Sequence, residues 1–326
     1  MLIMNYQKLL CLVVALVTSV TVFAQRDAAN GTFELFKYGA LDEWVTRHIK
    51  ESGVIGGNSK TLYEVGPVKT IEGNEAYANL GGSPWGTSNV LAKVSGITKT
   101  NTTVLRDQRG DGYCAKLTTH IEKVKVLGLI NIRVLAAGSL FLGDMKEPIT
   151  STKEGPMAMN AGIPFTRRPK ALRFDYRIQL SGEPDRIKLT GFSKQQQVAG
   201  KDLCTAVLLL QRRSEDAQGN ITAKRVGTLV VTYDASTSGW VNAATYAIRY
   251  GDISREPGYD ASLMGLRSAD YARNSRGVSV PVKETGWADA DAVPTHLCLQ
   301  FSSSHGGAYI GSPGNTMWLD NIGLVY

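Results

Sequence analysis

The stretch that decides the fold is the end of the chain, residues 295–326, which read THLCLQFSSSHGGAYIGSPGNTMWLDNIGLVY. Residues 296–301 form a short apolar run, residues 302–315 are rich in Ser, Gly, Pro and Asn, and residues 316–326 are apolar again. In the last run apolar residues occupy both odd and even positions, which predicts a strand covered on both faces in a two-layer structure. This region therefore predicts two buried strands joined by a loop.

Strict alternation divides the last run between the two faces of a strand. The even-numbered residues are expected on one face and the odd-numbered ones on the other: Trp318, Asp320, Ile322, Leu324 and Tyr326 against Met317, Leu319 and Val325. A carboxylate inside a sandwich is costly unless it has a partner, so we expect Asp320 to contact a backbone donor, an arginine or a metal. Trp318 is expected in the core.

The rest of the chain repeats the pattern of short apolar runs separated by turns. Residues 171–180 alternate most cleanly, with apolar side chains on one face and charged ones on the other. Residues 206–211 and 226–233 flank a turn with Gly and Asn, which predicts a hairpin. Helical periodicity is weak, and residues 259–274 are the best candidate for a short helix. The pattern predicts an all-β fold, an antiparallel jelly-roll-like β-sandwich with few short helices.

The first 24 residues predict a signal peptide. Lys8 precedes the apolar residues 9–17, and Ala24 supplies the small residue that signal peptidase requires. No later run is long and apolar enough to span a bilayer. We therefore expect an exported protein, in the periplasm or at the cell surface of a Gram-negative bacterium, or secreted.

The expected organisation after the signal peptide of residues 1–24 has two parts. Residues 25–84 form an N-terminal segment that contributes the first strand and glycine-rich loops, and residues 85–326 form the β-sandwich. One sandwich can contain ~250 residues. A second globular domain is therefore not required.

Charge and cysteine content narrow the classes of function. The chain has 36 Lys and Arg against 29 Asp and Glu, a formal charge of +7. Basic and acidic residues are interspersed, as in residues 212–216, so we expect a mixed solvated surface and no nucleic-acid partner. Cys114, Cys204 and Cys298 form no C-x-x-C pair, which predicts buried free thiols, with one disulfide as the alternative in an oxidising compartment.

Several motifs follow one another along the chain and resemble those of one family. They are AAGSLFLG at residues 136–143, GIPF at 162–165, RPKALRFDY at 168–176, FSSS at 301–304, and GS at 311–312 leading to WLDN at 318–321. Together they resemble the putative carbohydrate metabolism domain (PCMD) family, over about residues 85–326. The resemblance implies a jelly-roll-like β-sandwich in exported proteins of polysaccharide-using bacteria, with a polysaccharide or oligosaccharide as partner.

The two ends of the chain are similar to another group of proteins. NGTFE at residues 30–34 and WLD at 318–320 are similar to the first and last strands of jelly-roll carbohydrate-binding modules, where the two strands are neighbours and a structural calcium often lies between them. This similarity implies Glu34 and Asp320 as calcium ligands, with backbone carbonyls completing the oxygen shell. The alternative is that Asp320 accepts backbone hydrogen bonds. Asn321 stands where such modules often have a second acid, which lowers the charge of the predicted site.

Catalytic motifs are sparse. The sequence contains no G-x-S-x-G, no H-E-x-x-H and no P-loop, which disfavours the corresponding hydrolases. A glycosidase needs two carboxylates at the scissile bond. The available acids are Asp175, Glu183, Asp185, Glu284, Asp289 and Asp291. Asp175 is the best placed, and Arg173 and Arg177 beside it on the strand are expected to keep it ionised.

Sugar binding requires an aromatic platform with polar groups at its rim. Four aromatic residues in glycine-, serine- or aspartate-containing loops are candidates for such a platform: Trp85, Trp240, Trp287 and Tyr309. The alternative for each tryptophan is packing over the sandwich core. The sequence thus predicts an exported glycan-binding β-sandwich, with a glycoside hydrolase acting through a carboxylate pair, or a structural or adhesive surface protein, as alternatives.

Overall fold

The computed structural model describes residues 30–52, 58–77, 79, 82–94, 96–126, 130–151, 153–191 and 193–326. The predicted signal peptide, residues 1–24, lies outside the described residues. Within them, no helix is both long and apolar enough to cross a bilayer. Strand accounts for 55% of the chain and helix for 3%, so the predicted all-β fold is confirmed.

Short strands make up most of the described part of the chain. The first are β1 (Phe33–Leu35), β2 (Trp44–Lys50), β3 (Ser59–Val65), β4 (Lys69–Glu72), β5 (Trp85–Thr87), β6 (Val90–Val94), β7 (Ile97–Asn101), β8 (Val104–Arg109) and β9 (Gly112–Val126). The next are β10 (Ile130–Ala137), β11 (Ser139–Met145), β12 (Met159–Ala161), β13 (Ile163–Pro164), β14 (Ala171–Gln179), β15 (Arg186–Lys188), β16 (Thr190–Gly191), β17 (Gln196–Val198) and β18 (Cys204–Glu215). The last are β19 (Ile221–Tyr233), β20 (Val241–Ala247), β21 (Arg249–Tyr250), β22 (Tyr271–Arg273), β23 (Ser279–Trp287), β24 (His296–Ser302), β25 (Ile310–Gly311) and β26 (Thr316–Val325). Two short helices are α1 (Gly155–Ala158) and α2 (Ala261–Met264).

Two large sheets form the sandwich. One has the order β16-β10-β9-β26-β14-β20, with β1 also on β26 and β8 on β9. The other has the order β12-β11-β24-β18-β19-β23-β22, with β13 on β24, β21 on β19 and β5 on β11. Within these two sheets, the described neighbouring strands are antiparallel except for β19 and β23. The last strand, β26, lies in the middle of the first sheet, as expected for a strand covered on both faces.

The core lies between the two sheets. It is formed by the alternate side chains of each strand that point toward the facing sheet. Strand β14 contributes Leu172, Phe174 and Ile178, and β24 contributes Leu299 and Phe301 from the facing sheet. The rings of Phe174 and Phe301 meet edge to face with 4.9 Å between centroids. Aromatic pairs of this geometry add to the stability that apolar burial provides.

The faces predicted for the last strand are wrong beyond Asp320. Asn321 has a φ of 50°, and the pairing of β26 with β14 shifts there by one residue. An extra residue moves all later side chains to the opposite face. Ile322 and Leu324 therefore join the core instead of the face that holds Trp318. Trp318 points away from the core and is nevertheless only 8% exposed.

The N-terminal segment is more structured than predicted. Strand β1 pairs with β26, with Phe33 opposite Val325, so the first and last described strands are neighbours. Gly323 permits this close approach, because a Cβ there would lie 2.3 Å from the carbonyl oxygen of Glu34. Strands β2, β3 and β4 form a further three-stranded sheet, and Trp44 from it packs in the main core.

Three other expectations have clear outcomes. The predicted hairpin is confirmed as β18 and β19, which are longer than expected. The predicted helix over residues 259–274 is wrong, because only α2 forms there: the Asp260 side chain caps its start and Gly265 ends it. Cys114 and Cys204 are buried, Cys298 is half-buried, and within the described residues all three are free thiols, as predicted.

We expect the core pair Phe174 and Phe301 to be a major source of stability. Replacing Phe174 by Ala should lower the free energy of unfolding by about 3–5 kcal/mol, because it removes a fully buried ring and leaves a cavity. Urea denaturation followed by fluorescence measures this change. The control Val278→Ala, at a residue that is 54% exposed, should change stability by less than about 0.5 kcal/mol.

Candidate functional site

Asp175 lies between two β-bulges. In β26 the pairing moves from Arg173↔Gly323 to Asp175↔Asp320, and in β20 it moves from Phe174↔Ala244 to Tyr176↔Val241. Each neighbour of β14 thus has one extra residue at this level. The extra residues are Asn321 and Ala243, whose φ values are 50° and 52°. Positive φ is unfavourable for both residue types and for Ala above all, and such strain and bulges occur often at functional sites.

The bulges aim hydrogen-bond donors at two carboxylates. The backbone N–H of Ala243 donates to Oδ1 of Asp175 at 2.6 Å, and Nδ2 of Asn321 donates to Oδ2 of Asp175 at 2.8 Å. The backbone N–H of Asn321 donates to Oδ1 of Asp320 at 2.8 Å. The irregular backbone therefore orients both acids.

Arg109 links the two acids. It ends β8, and its Nη1 donates to Oδ2 of Asp175 at 2.9 Å and to Oδ2 of Asp320 at 2.6 Å. Its Nη2 donates to Oδ1 of Asn242 at 2.6 Å. Both acids are 7% exposed, and Arg109 is the arginine partner that the buried Asp320 was expected to need. Arg173 and Arg177 do not pair with Asp175, contrary to prediction, because their guanidinium groups lie over Phe33 and Trp318.

Trp240 completes the arrangement. It directly precedes β20, is half-buried, and has the Arg109 guanidinium 3.9 Å from its ring centroid. Within the described residues, the indole N–H of Trp240 has no hydrogen-bond acceptor. Its nitrogen is not among the buried polar atoms that lack a partner, so it is accessible to solvent. We call Arg109, Asp175, Trp240, Asp320 and Asn321 the acid-pair site. It combines an accessible indole with fixed polar groups.

The indole N–H groups of the five tryptophans fall into two classes. Buried tryptophans usually find an acceptor for their N–H, and here Trp44 donates to the carbonyl of Leu41 and Trp318 to Oδ2 of Asp107. Trp240 and Trp287 have no such internal acceptor among the described residues. An unbonded indole N–H at the surface is free to meet a ligand.

Burial and neighbouring charges shift pKa values at the acid-pair site. Burial raises the pKa of Asp320 to about 6, although the hydrogen bond from Arg109 opposes the rise. Burial lowers the pKa of Arg109, but hydrogen bonds to the two acids more than reverse that, so its pKa is raised overall. Burial also raises the pKa of the nearby thiol of Cys114, to about 12. One carboxyl can thus hold a proton close to neutral pH beside a permanent cation.

The prediction that Trp85 is an exposed platform for a sugar is wrong. It is only 2% exposed, because its ring packs edge to face on Phe36 and its N–H donates to the carbonyl of Lys37 at 2.9 Å. Trp85 therefore has no open face for a sugar. The N-terminal segment that covers it was expected to contribute only the first strand and glycine-rich loops.

Trp287 and Tyr309 lie away from the acid-pair site. Trp287 ends β23 in the other sheet, is half-buried, and packs edge to face with Tyr259. Arg225, the residue paired with it on β19, is fully buried and bonded to Glu284. Tyr309 is half-buried in the loop before β25. The four predicted platforms therefore do not share one groove.

The predicted calcium ligands are not brought together. Glu34 faces Leu324, four residues beyond Asp320 on β26, and pairs with Arg167 at 2.6 Å. Asp320 instead pairs with Arg109. Within the described part of the chain, no group of three or more His, Cys, Asp and Glu could hold a metal ion. Calcium binding stays a prediction from sequence.

A second acid pair serves the N-terminal sheet. Arg47 bonds Glu64 at 3.1 Å and Glu147 at 2.6 Å, and all three are buried. Glu147 also accepts the backbone N–H groups of Tyr77 and Leu91. Burial raises the pKa of Glu64 to about 8. These contacts connect β2 and β3 to the segment that follows β11. We therefore interpret the cluster of Arg47, Glu64 and Glu147 as structural.

Sequence reasoning found Asp175, Asp320 and Trp240 but assigned them to separate roles. It missed Arg109 and Asn321 as partners. The turn at residues 109–112, Arg-Gly-Asp-Gly, marks a hairpin end but gives no sign that Arg109 reaches across the sheet. Pairing over this distance in sequence requires the register of the strands.

Comparison with known proteins gives the family. Residues 63–245 match the sequence model of the family described as "Putative carbohydrate metabolism domain". Because the match covers more than half of the chain, the protein belongs to this family. The matched residues include Arg109, Asp175 and Trp240 but end before Asp320. The match therefore begins and ends earlier than residues 85–326, the span expected from sequence.

A similar solved structure is a crystal structure described as a putative glycoside hydrolase from Bacteroides thetaiotaomicron. It is 16% identical to this chain with a TM-score of 0.44, and the similarity covers 83% of this chain and 81% of that one. This similarity is too distant to carry an argument about activity. A comparison with curated proteins gave no match.

The raised pKa of Asp320 should make stability depend on pH. Folded Asp320 binds its proton up to about pH 6, whereas an unfolded aspartate loses it at about pH 3.9. This carboxyl therefore favours folding at low pH, and its contribution is lost as the pH rises through about 6. When the pH falls from about 7 to about 4, the free energy of unfolding of the wild type should rise relative to that of Asp320→Asn by on the order of 2 kcal/mol. Urea denaturation at each pH measures this difference.

The control for this pH effect is Asp289→Asn, which changes an exposed aspartate. Its stability difference from the wild type should stay flat over the same range. A flat difference for Asp320→Asn as well would contradict a raised pKa at the acid-pair site.

Proposed function

We propose that the protein binds carbohydrate at the acid-pair site, with Trp240 as the platform for a sugar ring. The observation that carries this proposal is an accessible indole whose N–H has no acceptor among the described residues. It lies next to carboxylate and amide groups that the bulges hold in place. A pyranose offers an apolar C–H face and a rim of hydroxyls, which match an aromatic surface and fixed acceptors. The description of the family supports a carbohydrate as the ligand class.

The geometry gives each group a role. Arg109 covers one side of the Trp240 ring, so a sugar would use the other side or the edge that carries the N–H. The amide of Asn242 is exposed and also bonds Arg109, so it suits a hydroxyl partner. Each oxygen of Asp320 accepts one hydrogen bond from the described residues, which leaves acceptor capacity for a hydroxyl donor. Because these groups are already oriented, little ordering would be needed on binding.

Arg109 favours binding over hydrolysis. A glycosidase places the scissile bond between its two carboxyl groups. Here Nη1 of Arg109 fills that space and bonds both acids. A hydrolase would have to move this side chain before a substrate could enter, whereas a binding site needs no such step.

Hydrolysis is nevertheless the second candidate, for one specific reason. Both Oδ2 atoms bond the same nitrogen, at 2.9 Å and 2.6 Å, so these two oxygens lie at most about 5.5 Å apart. Retaining glycosidases have their two carboxyl groups about 5–5.5 Å apart, whereas inverting ones need a wider gap. The raised pKa of Asp320 suits a general acid. Asp175 would then be the nucleophile.

A structural or adhesive role ranks behind these two. A sheet surface that only packs or adheres needs neither two strained bulges nor a pair of buried facing acids, both of which cost stability. Export fits a glycan ligand and is part of our proposal for the whole chain.

Trp240→Ala should abolish most glycan binding. Loss of a central aromatic contact typically weakens binding at least about tenfold. A glycan array followed by isothermal titration calorimetry measures this. The matched control is Trp287→Ala, at the half-buried tryptophan of the other sheet, and this variant should bind glycan as the wild type does. If Trp287→Ala loses binding and Trp240→Ala keeps it, the proposed site is wrong.

The hydrolase alternative makes a different prediction. If the protein cleaves glycosidic bonds, Asp175→Asn and Asp320→Asn should each lower the rate of reducing-sugar release by about 10²–10⁴-fold, since each would remove a catalytic carboxyl. Binding of the substrate should persist in both variants. Absence of reducing-sugar release from every glycan that the wild type binds would leave the protein as a binder alone.

A further inference from the structure

The same sheet face carries a row of side chains next to the acid-pair site. Lys116 on β9, Trp318 on β26 and Arg177 on β14 are direct cross-strand neighbours. Asp175 and Asp320 form the adjacent row, two residues along the same strands. Two residues of a strand span about 7 Å, which is comparable to the length of one sugar unit. A sugar unit next to one at the acid-pair site is therefore within reach of this row.

Trp318 holds the two cations in place. Its N–H donates to Oδ2 of Asp107 at 2.8 Å, which fixes the ring. The guanidinium of Arg177 lies 4.6 Å from the ring centroid and the ammonium of Lys116 lies 5.4 Å from it. The ring is covered by its neighbours and only 8% exposed. Cation–π contacts of this kind position a charge without neutralising it.

Neither cation has an anionic partner. Among the described residues, the side chains of Lys116 and Arg177 make no ion pair and no hydrogen bond, and Arg177 is exposed. The acids on this face are already engaged: Asp175 and Asp320 bond Arg109, and Asp107 accepts from Trp318. The two positive charges thus flank Trp318 on the strands either side of it, with Arg177 exposed and Lys116 half-buried.

From this arrangement we infer that the glycan is acidic, and that Lys116 and Arg177 bind a carboxylate or sulfate group on the sugar unit next to the one at Trp240. This inference rests on the proposed function. A guanidinium matches the two oxygens of a carboxylate or sulfate, and an ammonium adds a second contact. Both cations are pre-positioned, so the anion would replace water at a site that is already formed.

Two matched pairs of polymers test the inference with the full chain. Polygalacturonate is compared with its carboxyl-reduced form, and dextran sulfate with dextran. The wild type should bind at least one charged polymer about tenfold more tightly than its neutral counterpart, and added salt should weaken that binding. Preference in the first pair identifies a carboxylate and preference in the second a sulfate.

The variant Lys116→Gln/Arg177→Gln should lose this preference and bind charged and neutral polymers alike. Arg212→Gln is the matched control, because Arg212 is exposed, lies on β18 of the other sheet, and has no ion pair among the described residues. It removes a positive charge without touching the row, so it should keep the preference. Melting curves of all variants check that the fold is intact.

Equal affinity of the wild type for charged and neutral members of both pairs would overturn the inference. So would an unchanged preference in the double variant. The proposed function is judged separately, by Trp240→Ala: if a neutral glycan binds through Trp240 and charge adds nothing, the acidic class is wrong and the binding site stands.

Discussion

One guanidinium compensates two carboxylates that face each other across the centre of a sheet. Asp175 and Asp320 are direct cross-strand partners, and like charges in that relation destabilise a sheet. Arg109, 211 residues before Asp320 in the chain, bonds both. Loss of one member of such a buried group typically costs about 3–5 kcal/mol. The bulge at Asn321 serves the same end, since its donors satisfy oxygens of both acids alongside Arg109.

Much of the fold could be predicted from local pattern. Residues 171–180 alternate in sequence, and β14 places their apolar side chains in the core as expected. The hairpin of β18 and β19 follows from two apolar runs around a turn. The faces of β26 could not be predicted, because a single extra residue at Asn321 reverses the alternation. Asparagine tolerates positive φ better than most residues, but many asparagines occur in ordinary strands.

The candidate site was predictable only in pieces. Asp320 was expected to need a partner on energetic grounds, and Arg109 is that partner. Its identity depends on strand register, which a single sequence does not reveal. The error over Trp85 has a related cause. Its Gly, Ser and Pro neighbours suggest an exposed loop, yet Phe36 and the backbone of Lys37, which follow the predicted first strand, cover the ring.

The acid-pair site and the adjacent row of Lys116, Trp318 and Arg177 form one continuous sheet surface whose chemistry suits a saccharide. The most direct test uses the indole N–H signals of the five tryptophans in a ¹H–¹⁵N NMR titration with an oligosaccharide that the protein binds. Our account predicts that the Trp240 signal shifts with ligand, while those of Trp44 and Trp85, which donate inside the core, stay in place. A Trp240 signal that does not move at saturation, with Trp287 shifting instead, would contradict it.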